Sequence, residues 1–174
     1  ILLLTKLFIN KFMKNIFNVK NKTIIVTGAA SGIGKEICKF LIKKSCKIIA
    51  IDKKIIKLNS KNFKFIKIDL ENIEELEKIF KEKIDKYKID VLINNAGYTS
   101  SGNFLNYKKK EWIKTLQINL SSIFILSQLV SSNMIKNKIH GSIINVTSIG
   151  AFRGFPDNPA YTASKAGLGN LTKS

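Results

Sequence analysis

Thr23-Ile24-Ile25-Val26-Thr27-Gly28-Ala29-Ala30-Ser31-Gly32-Ile33-Gly34 is the stretch on which the fold turns. Its first half is short, apolar and β-branched, which predicts a buried strand over Lys22–Thr27 that Gly28 ends. From Gly32 to Lys44 the spacing becomes helical, with Ile33, Ile37, Phe40 and Leu41 expected on one inner face. A strand that runs through a glycine-rich turn into a helix provides a tight bend and a close backbone approach to an anion. The free N–H groups and positive dipole end of the helix add to it. The spacing is Gly-x3-Gly-x-Gly, and the candidate diphosphate-binding residues are Gly28, Ser31, Gly32, Ile33 and Gly34.

Outward from this turn the same punctuation recurs. Apolar runs at Ile48–Ile51, Phe63–Ile68, Val91–Ile93 and Ser142–Thr147 read as strands, closed by Asp52, Asp69, Asn94-Asn95-Ala96-Gly97 and Ser148. Helical spacing covers Asn72–Tyr87, with Ile73, Leu76, Ile79, Phe80 and Ile84 inward, and a long region from Tyr107 to Lys138. A last helix begins near Tyr161. Only 69 − 52 − 1 = 16 residues separate Asp52 from Asp69, so a helix between them is very short or absent. Alternating strands and helices predict an α/β, Rossmann-like, doubly wound parallel sheet covered on both faces. Ligands bind such sheets beyond the carboxyl ends of the strands. Asp52 follows Gly34 by 52 − 34 = 18 residues, where a carboxylate binds adenosine ribose hydroxyls and repels a 2′-phosphate. That favours NAD over NADP, with Lys53-Lys54 as the counterweight.

A second constellation concerns proton transfer. Tyr161 and Lys165 are one helical turn apart, so a phenol and an ammonium share a face, and Ser148 lies 13 positions upstream of the tyrosine. A free phenol titrates near ~10, and a neighbouring cation favours its ionised form. With a hydroxyl to hold the oxygen, this is a site for proton exchange with an alcohol or ketone.

Composition narrows the alternatives. The chain has 174 residues and a formal charge of +18, but its 30 basic residues include one arginine, Arg153. The lysines are spread along the whole length, unlike a nucleic-acid footprint, so no specific nucleic-acid partner is expected, only weak salt-sensitive sticking to polyanions. Cys38, Cys46 and His140 have no metal-ligand spacing, so no metal is expected and a reducing cytosol fits. Ile1 to Ile9 is apolar but too short to span a bilayer, and no other stretch reads as a membrane span. Met13 reads as a more natural start, so residues 1–16 are taken as an extension, not native before Met13, and 17–174 as one dinucleotide-binding domain.

With these pieces in place the chain resembles the short-chain dehydrogenase/reductase family, in its shorter branch, from about Phe17 to Ser174. The matching motifs are Thr27-Gly28-x3-Gly32-Ile33-Gly34, Asp69-Leu70, Asn94-Asn95-Ala96-Gly97, Asn119, Ser148 and Tyr161-x3-Lys165. The resemblance implies roles. Tyr161 is the acid/base, and Lys165 acts on it and binds the nicotinamide ribose. Ser148 holds the substrate oxygen, and Asn119 marks a helix kink holding a relay water. Asp69 and Leu70 contact adenine; Asn94, Ala96 and Gly97 line the cofactor, with Asn94 also tying the central strands. It implies hydride transfer between NAD(P) and an alcohol or ketone of sugar, polyol or 3-oxoacyl type. Homodimers or homotetramers would form through Asn119–Lys136 and the last helix; Ile123, Phe124, Leu126 and Leu129 serve either that interface or the core. Phe152, Phe155 and Pro156 either wall the substrate or pack their loop. Family members continue past the helix of Tyr161 with two more strands and a lid, so a sheet incomplete at its C-terminal side and a fragment with little turnover are expected. The competing reading is a non-catalytic dinucleotide-binding sensor or assembly module.

Overall fold

The computed structural model describes residues 18–174; the expectations for residues 1–17 lie outside the described residues. The strands are β1 (Thr23–Thr27), β2 (Lys47–Asp52), β3 (Phe63–Lys67), β4 (Val91–Asn94) and β5 (Ser142–Asn145). The helices are α1 (Gly32–Lys43), α2 (Ile73–Ile79), α3 (Lys109–Leu116), α4 (Ser122–Lys136) and α5 (Pro159–Leu171). A wider π-helical turn extends α2 over Phe80–Ile84, and another joins α3 to α4 over Gln117–Ser121. All strand pairs are parallel, in the order β3-β2-β1-β4-β5. The chain therefore reverses its direction of growth between β1 and β4, and a crevice opens there at the carboxyl ends.

Period-two alternation sends successive β-strand side chains to opposite layers. Ile25, Ile49, Ile51, Ile66 and Leu92 pack with Leu76, Phe80 and Ile84 of the α2 segment and Leu126 and Val130 of α4. Ile24, Val26, Ile48, Ala50 and Ile93 pack with Cys38, Ile37, Leu41 and Ile42 of α1. All five β1 residues are buried. Full burial of one isoleucine such as Ile25 contributes about 2 kcal/mol, so the central strand anchors the turn that follows it.

Two sequence expectations need correction. The inner face of α1 is rotated: Gly34 and Cys38 are its buried residues, while Ile33 and Phe40 are 67% and 58% exposed. Gly34 must lie against Gly28 for the turn to close, and this contact outweighs the apolar periodicity. Second, the continuous helix Lys109–Lys136, 28 residues, is long and apolar enough to cross a membrane by length and composition. Here it is a core helix whose Ile118, Ile123, Leu126 and Val130 are buried. Other expectations hold. The last helix starts at Pro159, close to Tyr161 as expected, because proline is pre-set for a first helical turn. No helix lies between Asp52 and Phe63, and Leu76, Phe80 and Ile84 point inward. Among the described residues β5 pairs with β4 alone, and Ile144 is half exposed.

Candidate active site

A groove of ≈ 670 Å³ opens at the carboxyl ends of the strands, over the point where β1 and β4 diverge. Gly28, Ser31, Gly32, Ile33, Asp52, Asp69, Leu70, Ala96, Gly97, Tyr161 and Lys165 all line it. One groove thus gathers most of the residues singled out in sequence.

The first wall is the β1–α1 turn. Gly28 and Gly32 have φ of 66° and 50°, the left-handed region that favours glycine. A Cβ at Gly28 would come within 2.8 Å of the Ala96 Cα, and one at Gly34 would run into the Gly28 carbonyl. Gly32 faces open space instead. Ser31 precedes α1 in extended conformation and its side chain makes no capping bond, so the first-turn amides of α1 remain for a ligand. Open space over Gly32, free amides and a helix N-terminus fit a dinucleotide diphosphate. The Asp52 carboxylate accepts from the Ala30 N–H and the Lys54 N–H, both at 2.9 Å, so it braces the turn while facing the groove. Lys53 Nζ stands 4.0 Å from Asp69 Oδ2.

The second wall is built from distant segments. Lys165 is 4% exposed; its Nζ donates to the Val146 carbonyl at 2.8 Å and lies 5.9 Å from the Tyr161 ring centre. Burial holds its pKa below the ordinary lysine value. Asn119, fully buried, lies in the π-helical turn between α3 and α4, the helix irregularity expected there. Its Oδ1 accepts from the Tyr98 N–H at 2.7 Å, and its Nδ2 donates to the Tyr98 carbonyl and to Ser164 Oγ. A Cβ on Gly97 would lie 3.8 Å from Asn119 Oδ1 and 3.9 Å from Lys165 Nζ, so the three meet where Gly97 has no side chain.

Four expected residues do not line the groove: Gly34 packs against Gly28, Asn119 is buried beside Gly97, and Asn94 and Ser148 stand elsewhere. Asn94 is 1% exposed and lies beneath the groove, donating to Ser127 Oγ and to Asn145 Oδ1 across the sheet, so its strand-tying part is seen and its lining part is not. Asn95 lines the groove in its place and donates to the Thr27 carbonyl. Ser148 caps the turn Ile149–Ala151 by accepting from Gly150 N–H at 3.1 Å and does not line the groove. Sequence reasoning missed Thr27 and Tyr98. Thr27 Oγ1 accepts from the Asn95 and Ala96 N–H groups, joining the two walls. Tyr98 lines the groove, and its hydroxyl donates to Glu111 at 2.6 Å with Lys114 Nζ 5.0 Å from its ring. Thr27 was legible as part of the glycine motif; nothing local marks Tyr98.

A glycine-rich turn into a helix, a carboxylate at the second strand end and a tyrosine–lysine pair on one groove fit a dinucleotide-dependent oxidoreductase. A family model described as short chain dehydrogenase matches residues 22–174, and the chain belongs to that family. It is 33% identical over 171 residues to the 2-dehydro-3-deoxy-D-gluconate 5-dehydrogenase of Bacillus subtilis (strain 168), covering 94% of this chain and 67% of that one. It is 38% identical over 168 residues to a 3-oxoacyl-acyl-carrier-protein reductase of Buchnera aphidicola subsp. Acyrthosiphon pisum, covering 90% and 67%. Among solved structures it is similar to a 4-hydroxyisoleucine dehydrogenase complexed with NADH, with a TM-score of 0.80 and 36% identity, covering 88% of this chain and 67% of that one. A gluconate 5-dehydrogenase-like structure from Beutenbergia cavernae with bound NADP gives a TM-score of 0.81 at 25% identity, covering 90% and 66%. The chain spans about two thirds of the length of these proteins. It is an oxidoreductase of the NAD(P)-dependent short-chain type, and the reading as a non-catalytic module falls.

Proposed function

We propose that this protein interconverts a secondary alcohol and a ketone, with Tyr161 exchanging the proton at the substrate oxygen. The observation that carries this is the meeting of Tyr161 and the buried Lys165 on the groove wall opposite the glycine turn. An ammonium held there stabilises negative charge as it builds on the phenol oxygen. When bound, the nicotinamide supplies or accepts the hydride. Lys165, tethered to the Val146 carbonyl, keeps two further N–H bonds for the nicotinamide ribose and the proton relay. Ser148, outside the lining of the dinucleotide groove, accepts from Gly150 and retains its hydroxyl proton for a substrate oxygen beyond that groove. Asn119 acts by positioning Tyr98 and Ser164, and since its side-chain amide is engaged, a relay water at this turn would use backbone groups.

Gly28, Ser31, Gly32, Ile33 and Gly34 hold the diphosphate, Asp52 the adenosine ribose, Asp69 and Leu70 the adenine, and Ala96 and Gly97 the nicotinamide side. Asp52 supports NAD over NADP. The relatives support a substrate of sugar, polyol or 3-oxoacyl type. Trp112, Ile113 and Phe124 are exposed on α3 and α4 and support assembly into dimers or tetramers through that face. Buried, unpaired Cys38 and Cys46, the first with its thiol pushed up to about 11 by burial, support a reducing cytoplasm.

Tyr161→Phe tests the assignment. Turnover should fall about 10³-fold while NADH affinity stays within about threefold; unchanged turnover removes Tyr161 from the chemistry. Titration of the same protein with NADH and NADPH should show tighter NADH binding, and the reverse order would overturn the role given to Asp52.

A further inference from the structure

A second concavity lies at the other end of the sheet, away from the dinucleotide groove. It encloses ≈ 250 Å³ at the amino ends of β1, β2 and β3, framed by Thr23, Lys47, Lys61, Asn62, Lys64 and Tyr87. Lys64 pairs in register with Ile49, so it projects on the α2 side of the sheet, where Tyr87 follows the helix. Its Nζ donates to the Tyr87 hydroxyl at 2.8 Å and lies 5.1 Å from the ring centre, while Lys86 Nζ lies 5.8 Å from the same ring.

What sets this basin apart is the absence of counter-charge. Among the described residues, Lys47, Lys61, Lys64 and Lys86 form no ion pair. The carboxylates at this end of the sheet are already engaged. Asp90 accepts from Lys22 Nζ and from the Thr23 N–H, and Asp85 from Lys136 and Asn133. No aspartate or glutamate precedes Glu36 in the sequence, so the N-terminal residues bring none. At the groove end, by contrast, Lys53 faces Asp69 and Lys114 faces Glu71. Lys47, Lys61 and Lys64, dispersed in the sequence, are gathered here because the amino ends of three parallel strands lie side by side. A concave, uncompensated cluster focuses positive potential. The Tyr87 hydroxyl registers it: the hydrogen bond from Lys64, then the nearby Lys64 and Lys86 charges, hold its pKa below the ordinary tyrosine value.

We propose that this basin binds the oligophosphate group of a small molecule, at a site separate from the dinucleotide groove. Lys47, Lys61 and Lys64 supply the charge, and Asn62 and the Tyr87 hydroxyl supply directional hydrogen bonds. The volume admits a short phosphate chain rather than a folded partner.

The test is calorimetric titration of the full chain with inorganic tripolyphosphate at saturating NADH, at about 0.15 M salt so that diffuse attraction is screened. Saturable one-to-one binding is expected. The triple variant Lys47→Gln, Lys61→Gln, Lys64→Gln should weaken it by about tenfold or more. The charge-matched triple Lys108→Gln, Lys109→Gln, Lys110→Gln should change it by less than about twofold. NADH affinity, measured separately, should be the same in both, so a failure of the groove assignment is distinguishable from a failure here. Equal weakening in the two triples, or no saturable binding to the parent, overturns the proposal. Duplex DNA that binds through the same lysines and is not displaced by tripolyphosphate would overturn it in favour of a nucleic-acid surface.

Discussion

The two walls of the groove are made of different material. The wall of Gly28–Gly34 is backbone: two left-handed glycines, a missing Cβ at Gly34 and free amides at the start of α1. The wall of Lys165, Asn119 and Tyr98 is side chain. It is joined by hydrogen bonds that link residues 19, 21 and 45 positions apart. The first is coded within a dozen consecutive residues and has no room for an added atom at Gly28 or Gly34. The second depends on α3, α4, α5 and the ends of β4 and β5 being in place together. Under the function proposed above, binding of the dinucleotide and movement of the proton rest on separately built halves, and perturbations should separate them.

The sharpest break is at the backbone wall. Gly34→Ala drives a methyl into the Gly28 carbonyl and the Asn95 amide. It should lower stability by about 3 kcal/mol and abolish NADH binding; chemical denaturation and fluorescence titration read the two effects. An alanine variant with parental NADH affinity would show that the turn is not closed by this contact.

Asn119→Ala attacks the other wall. It strands the Tyr98 N–H and carbonyl and frees Ser164, at a cost of about 2 kcal/mol. Turnover should fall far more than NADH affinity. Equal losses in both would merge the two walls into one unit.

The smallest effect on stability concerns Lys165. Burial depresses its folded pKa below the ordinary 10.5, so the unfolded chain binds more protons between the folded value and 10.5. The native state is therefore penalised below that window and relieved as pH rises through it. Lys165→Met should unfold at a higher temperature than the parent at neutral pH, with the gap closing toward pH 10.5, while turnover is lost. A variant less stable than the parent at pH 7 would mean that the Val146 hydrogen bond outweighs the buried charge.

Legibility divides along the same line. The alternation of strands and helices, the glycine turn, and the placing of Asp52, Tyr161 and Lys165 on one groove were readable because each rests on local spacing or on strand-end punctuation, whereas the order of the strands in the sheet came only from the structure. Asn94 was misplaced by one residue as a groove-lining group. Successive strand residues face opposite ways, and only the β4–β5 register shows that Asn94 meets Asn145 while Asn95 turns to the groove. The inner face of α1 was misread because apolar periodicity pointed to Ile33 and Phe40, whereas the close approach of Gly34 to Gly28 sets the rotation of the helix. Tyr98 escaped notice because its importance comes from Asn119, Glu111 and Lys114, none adjacent in sequence.

By itself the sequence determined the parallel α/β architecture, the glycine turn between β1 and α1, and the placing of Tyr161 and Lys165 one helical turn apart on the groove. Short-range sterics and the periodicities of strand and helix suffice for those. The tertiary structure decided which asparagine faces the groove, what anchors Lys165, how Tyr98 is held, and that dispersed lysines converge at the amino ends of β1–β3. Each of these depends on side chains brought together by sheet register and helix packing, and that proximity has no trace in local sequence.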